Sequence, residues 1–329
     1  MAAIGRRAFI CGAVSTLAAP PRAGAQPMMK IPPRIGWLSA AGSSAEFPER
    51  HVLEGLRALG WLDGKNLIIE FRHAAGDPER LSRLASELVG LKVDLIVTFS
   101  AGVAVAKRAT DTIPIVMQTS QDPVRTGFVA SLARPGGNVT GLTFLNDELA
   151  GKRLELVKEA IPSISHAAIL WEPAHVDNEA KGMQAAAPRL GVRLDSLEVP
   201  RPPRSDEVER ALRAARDAHV EALILAPGGF TILHRKRIIA LATRAGLPVA
   251  SAWRIFADDG ALLTYGPDIF ESSRRLATVV DKVLKGAKPA DIPVQQPNKF
   301  ELIINLTTAK ALGLTIPPSV LLRADQVIE

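Results

Sequence analysis

Short apolar runs alternate along most of the chain with stretches whose apolar positions recur every three or four residues. A continuous run such as Asp94-Leu95-Ile96-Val97 suits a strand buried on both faces, and the three-to-four spacing suits a helix with one apolar side. Strands are predicted on this basis at 34–39, 66–72, 93–99, 113–118 and 139–143, interleaved with helices at 46–59, 78–88, 102–108 and 123–132. Asp77-Pro78 reads as a cap followed by proline in the first helical turn. The alternation then starts again. Helices at 147–160, 178–189, 205–218, 232–245, 269–285 and 307–312 are set among strands at 166–171, 192–199, 222–226, 248–251, 261–265 and 300–305. Repeated βα units with short connections predict doubly wound parallel sheets with right-handed crossovers. Two successive sets predict an α/β fold of two lobes.

The first residues break this pattern. Arg6-Arg7 precede an uncharged run from Ala8 to Pro21, too short for a membrane span, which needs about 20 apolar residues. The run closes on Ala23-Gly24-Ala25, a small-x-small cleavage pattern. Residues 1–25 therefore read as an export signal cleaved near Ala25, and the paired arginines before Phe9 as a twin-arginine signal. Residues 26–33 then form a linker, and the protein works in the periplasm.

The chain has 329 residues, 47% of them hydrophobic, enough for two domains with well-filled cores. The net charge is +6, of which Arg6, Arg7 and Arg22 supply +3, leaving +3 for the remainder. A balance that small gives no footprint for nucleic acid. The single cysteine, Cys11, lies inside the export signal, so the processed chain has no disulfide, no thiolate and no cysteine ligand for a metal. The six histidines are scattered without helical ligand spacing. His175 with Asp177 reads as a solvated loop and Asp258-Asp259 as a turn and cap, so neither a metal nor a cofactor is expected.

Sites on open α/β sheets lie beyond the carboxyl ends of the strands. No Gly-x-Gly-x-x-Gly, phosphate-binding Gly-Lys-Ser/Thr loop or Gly-x-Ser-x-Gly elbow occurs there. The first half offers Ser39-Ala40, then Ser100-Ala101-Gly102 opening a helix, then Ser120-Gln121-Asp122. An uncapped helix start can seat a carboxylate, so Ser100 and Gly102 read either as ligand contacts or, for Ser100, as a plain cap. Asp122-Pro123 reads first as a cap, with a contact to an ammonium group as the sharper alternative. The second half offers Trp171, Pro227 and Trp253 at strand ends, and the only tyrosine, Tyr265, lies where the chain returns toward the first lobe. Such aromatics suit either a cleft gripping a small organic ligand or ordinary packing.

Ile113-Pro114-Ile115-Val116, Asp122-Pro123-Val124 and the run from Gly127-Phe128-Val129 to Asn138-Val139-Thr140-Gly141 resemble the ABC-transporter substrate-binding protein family that includes tryptophan- and tyrosine-binding members. Gly260-Ala261-Leu262-Leu263-Thr264-Tyr265-Gly266-Pro267-Asp268 and the tail from Phe300-Glu301-Leu302 to Thr315-Ile316-Pro317 extend the match. The resemblance implies a type I periplasmic-binding fold, two α/β lobes joined by three crossings with ligand between them. It places crossings near Thr143, near Ala261 and within 292–299. One lobe is then 34–143 plus 262–292, and the other 144–261 plus 293–329. It also places Ser39, Ala40, Ser100, Ala101, Gly102, Ser120, Gln121, Asp122 and Thr143 on the first side of the cleft. Trp171, Pro227, Trp253 and Tyr265 fall on the second. Many relatives carry a polar run such as Asn-Ser-Thr-Pro where this chain has Phe99-Ser100-Ala101-Gly102, which makes a less polar carboxylate a rival to an amino acid.

The expected function is a periplasmic solute-binding component of an ABC importer. It captures an amino acid or an aromatic or aliphatic carboxylate by hinge closure and hands it to an inner-membrane permease. The expected form is a monomer, with a dimer as the alternative, and no chemistry is done on the ligand. The rival readings are a sensing module for a signalling partner and an enzyme using Asp122, Glu172 or Asp258. A repressor with similar lobes would need an N-terminal helix-turn-helix, which residues 1–33 do not supply.

Overall fold

The computed structural model describes residues 31–40, 49–144, 146–172, 179–200, 204 and 206–329, with only the backbone described for 146–148. The export signal with Cys11, most of the linker, the His175–Asp177 loop and Ser205, where the helix at 205–218 was expected to begin, lie outside the described residues.

The first sheet begins at β1 (Arg34–Ser39), followed by α1 (Glu49–Ala58), β2 (Ile68–His73), α2 (Pro78–Gly90), β3 (Leu95–Phe99) and α3 (Ala101–Ala109). It is completed by β4 (Ile115–Thr119) and β5 (Val139–Thr143). The strand order is β2-β1-β3-β4-β5 and every pairing is parallel. The strands are apolar throughout, as in Leu95-Ile96-Val97, because helices cover both faces. Asp77 caps α2 by accepting from the amides of Glu79 and Arg80 at 2.9 and 3.0 Å.

The second sheet is built from α4 (Asn146–Ala160), β6 (His166–Trp171), α5 (Glu179–Ala186), β7 (Arg193–Glu198), α6 (Glu207–Asp217), β8 (Ala222–Leu225) and α7 (Gly229–Arg244). Next come β9 (Val249–Ser251), α8 (Arg254–Asp258), β10 (Leu263–Pro267) and α9 (Ile269–Leu284). The chain ends with β11 (Phe300–Asn305), α10 (Leu306–Ala311), α11 (Pro318–Leu321) and β12 (Gln326–Ile328). The order is β12-β11-β10-β9-β8-β6-β7. Strand β11 runs antiparallel to β10, the one departure from the expected parallel pairing.

The chain passes between the sheets three times. The first passage follows β5. The second follows β10, because Leu263 and Thr264 pair in parallel with Ala250 and Ser251 of the second sheet. The turn back toward the first sheet is therefore at Asp268, which caps α9 through the amides of Phe270 and Glu271, rather than near Ala261. Helix α9 then packs against α1 and against β4 and β5. The third passage precedes β11. Gln295 still bonds the first sheet, giving its amide to Gly141 and accepting from Thr143, while Arg275 of α9 reaches both Gln295 and Asn298.

The helix predicted at 123–132 is absent. The Asp122 carboxylate takes the amides of Val124 and Arg125, the amides of Phe128 and Val129 both return to the Pro123 carbonyl, and Gly127 adopts a φ of 71°. One turn forms and the left-handed residue stops it. The short elements α8, α11 and β12 carry too few apolar positions to show a period. A continuous apolar cluster joins the sheets, with Ile35, Trp37 and Phe144 on one side and Phe230, Trp253 and Phe256 on the other.

Candidate ligand-binding site at the carboxyl ends of the strands

Strand order reverses direction between β1 and β3 in the first sheet and between β6 and β8 in the second, so each sheet opens a crevice at that point. In the first sheet the crevice is bounded by Ser39 and Ala40 after β1 and by Ser100 after β3. The helices that follow these strands, α1 and α3, pack on opposite faces, with Trp37 among the apolar partners of α1 and Leu38 among those of α3. Their N-termini therefore flank the opening.

Ser100 holds φ 43° and ψ −112° and its side chain makes no capping bond to α3. Capping by Ser100 is thus not what fixes this turn. A non-glycine residue in that region costs about 1–3 kcal/mol, which the surrounding packing sustains. Gly102 is required by contact: a side chain there would collide with the Thr98 hydroxyl, which donates to the Leu38 carbonyl at 2.9 Å. This close seating leaves the first amides of α3 without a side-chain acceptor.

After β4, Ser120 and Gln121 are each 3% exposed, yet neither side chain hydrogen-bonds another described residue. Buried hydroxyl and amide groups normally find partners, so this pair is suited to a ligand. Asp122 is committed to the turn described above. Thr143 is fully buried, and its hydroxyl donates to the Gln121 carbonyl at 2.7 Å. Its role is to fix the backbone of Gln121.

In the second sheet a small recess lies at the crevice, lined by Trp171, Glu172, Glu179, Ala226, Pro227 and Gly228. Trp171 is half-buried and donates its indole N–H to Ser196 at 2.7 Å. Glu172 is buried and accepts the Phe230 amide at 2.7 Å, at the start of α7. A side chain at Gly228 would strike that carboxylate. Glu172 is thereby a cap on α7, where the helix dipole favours negative charge. Asp258 and Asp259 lie away from the recess, paired with Arg254 and with Arg235 and Lys236. Trp253 is 7% exposed and meets Phe144 edge-on at a centroid distance of 5.7 Å, so it joins the two sheets through packing. Tyr265 lies on β10, half-buried against Phe300.

Two charged clusters were not singled out by sequence. Arg153 of α4 is fully buried, pairs with Glu179 of α5 at 3.0 Å and donates Nε to the Tyr265 carbonyl at 3.1 Å. Spacing of 26 residues hides this pair from any local pattern. The second cluster is Glu49, His73 and Trp37. Glu49 opens α1 and its Oε1 lies 3.4 Å from His73 Nδ1 at the end of β2. Burial pushes the Glu49 carboxyl up to about 7, with the Trp37 indole drawing it back slightly, and burial lowers the His73 imidazole. Trp37 Nε1 faces the carboxyl without reaching hydrogen-bond geometry. A first-turn acid is so common on helices that sequence gives no reason to choose this one.

Among the described residues no group of three or more His, Cys, Asp or Glu side chains could hold a metal ion, and no helix is long and apolar enough to cross a membrane. The model of the ABC transporter substrate binding protein family matches residues 44–328. The chain belongs to that family. It is 29% identical over 275 residues to a tyrosine-binding protein of Clostridioides difficile, covering 82% of this chain and 78% of that one. A Streptococcus pneumoniae ABC domain in complex with L-Trp superposes with a TM-score of 0.80 at 25% identity, covering 91% of this chain and 100% of that one. A conserved domain protein of Vibrio cholerae superposes with a TM-score of 0.81 at 27% identity, covering 90% and 99%. These are type I periplasmic-binding folds, with two lobes of parallel strands. As a family member the chain is a binder of small ligands.

Proposed function

We propose that the protein captures an aromatic amino acid or a related carboxylate between its two lobes, outside the cytoplasm, and delivers it unchanged to an ABC permease. The two lobes are the portions built on the two sheets, and the three passages between them act as the hinge. The observation that carries this reading is the first-sheet crevice. Buried Ser120 and Gln121 have side-chain groups with no hydrogen-bond partner among the described residues, beside a helix start with no side-chain cap. Free amides at the start of α3 favour a carboxylate, and the neighbouring hydroxyl and amide can complete its shell. Whole-chain superposition on an L-Trp complex supports an arrangement of lobes like that of a ligand-bound relative, and the tyrosine-binding relative supports the aromatic class.

Closure follows from differential contact. A ligand seated on the first lobe gains the recess of the second only when the lobes meet, so binding shifts the population toward the closed form. Two carboxylates at these strand ends are engaged structurally, Asp122 in a turn and Glu172 on α7, which supports binding without chemistry by either of them. The test is a thermal-shift screen of the purified protein against L-tyrosine, L-tryptophan, benzoate and short aliphatic carboxylates. A ligand at a hundred times its dissociation constant should add about 2.7 kcal/mol of stability. No shift from any of these, or conversion of a ligand during incubation, contradicts the proposal.

A further inference from the structure

Among the described residues, Glu49 is the one buried carboxyl at the first-sheet crevice that is committed to no turn, cap or strong ion pair. Asp122 and Glu172 both accept backbone amides, whereas the only ion-pair partner of Glu49 among the described residues is His73, at 3.4 Å. Its position is set by topology. It begins the helix that follows β1, so it flanks the opening between β1 and β3, opposite the start of α3 across the sheet. Around it stand aromatic groups: Trp37, with Phe99 and Phe71 at ring-centroid distances of 5.3 and 5.9 Å from the indole.

From β2, Arg72 turns to the other face and pairs with Glu87 of α2. On α1 itself, Arg50 and His51 both face Glu54. From α9, the side chain that reaches α1 here is Phe270, packed on His51. From β1 comes the Trp37 indole, and from β2 the His73 ring, which burial keeps neutral at pH 7. Two polar atoms here, Trp37 Nε1 and His73 Nδ1, are buried without a hydrogen-bond partner. A carboxylate beside a neutral imidazole able to accept at Nδ1 is suited to a cation with several N–H donors, while the buried Trp37 N–H is turned toward that carboxylate.

We propose that Glu49, with His73, recognises the ammonium group of an α-amino-acid ligand whose carboxylate sits at the start of α3. The inference rests on the proposed function and narrows its ligand class from carboxylates in general to amino acids. It also makes binding release a proton. The free carboxyl is about half protonated at pH 7, and an ammonium beside it favours the ionised form. The ligand arrives already protonated, so the proton leaves Glu49 for solvent.

The experiment is isothermal titration calorimetry of the full chain at pH 7, in phosphate and in Tris, whose ionisation enthalpies differ. L-Tyrosine and L-tryptophan are compared with 3-(4-hydroxyphenyl)propionate and indole-3-propionate, which lack only the amine. The wild type should bind the amino acids at least about tenfold more tightly and release about half a proton per ligand. Glu49→Gln should remove both the preference and the proton release, with circular dichroism melts confirming that it is folded. Glu49→Asp, which keeps the charge, should retain part of the preference. Equal binding of amino acids and their des-amino analogues by the wild type, or amino-acid binding with no proton release, overturns the role of Glu49 and leaves the proposed function standing. Binding of neither class overturns both. The wild-type proton count needs no variant, so failure of a variant to fold would not shield the proposal.

Discussion

Glu49→Gln should make the protein more stable at pH 8 and leave it unchanged at pH 4. Glu49 is 9% exposed and its carboxyl rises from an ordinary 4.5 to about 7 in the folded chain. Between those values the folded state holds a proton that the unfolded state has lost. Raising the pH through that window therefore favours unfolding, and the contribution of this group is fully present only below about 4.5. A rise from 4.5 to about 7 corresponds to about 3.4 kcal/mol at full strength. Residual solvent contact screens the charge, which brings the expected cost at pH 8 to about 1–2 kcal/mol. Glutamine has the shape of the protonated acid and does not titrate, so it escapes that cost. Urea unfolding of both proteins at pH 4, 6 and 8 measures the difference by linear extrapolation. The gap should open from near zero to about 1–2 kcal/mol in favour of the variant. A gap that stays constant with pH, or a variant less stable at pH 8, would show that the carboxylate has a stabilising cation and would refute the reasoning.

Three further outcomes follow from the same structure. Arg153→Met strands Glu179 in the interior and should cost about 3–5 kcal/mol in chemical denaturation, while Arg153→Met with Glu179→Leu should recover most of it. Ser100→Gly relieves the φ of 43° and should raise stability by about 1 kcal/mol in the same assay; an unchanged or lower value would show that the backbone there is unstrained. Gln121→Ala removes an amide with no partner among the described residues, so its melting temperature should move little. Its affinity for whichever compound the thermal-shift screen identifies should fall by about fivefold or more.

The fold was largely legible because its strands are buried on both faces. Runs such as those at 95–99 and 166–171 must be apolar at every position, and that leaves a signal no helix of similar length would mimic. The misplaced second passage shows the limit. Leu262-Leu263 looks the same whether its strand pairs with β9 or begins the return, and only the partner decides. The helix expected at 123–132 is missing for a local reason, since two competing backbone bonds to the Pro123 carbonyl and Gly127 interrupt an otherwise helical pattern. Sequence pointed to Ser100, Gly102, Ser120 and Gln121 because strand ends are where such folds open, and the structure places them at the ends of β3 and β4. Sequence left Trp253 open between ligand contact and packing, and the structure adds its edge-on contact with Phe144. It passed over Glu49 and Arg153, whose partners are 24 and 26 residues away and whose burial no composition reveals.

The account depends on a small guest held between two lobes and released intact. Equilibrium dialysis of the purified protein against labelled L-tyrosine and L-tryptophan, followed by mass spectrometry of the recovered label, tests this most directly. One equivalent bound per chain and returned chemically unchanged is the predicted result. Saturation at zero for both compounds, or recovery of an altered molecule, would contradict it.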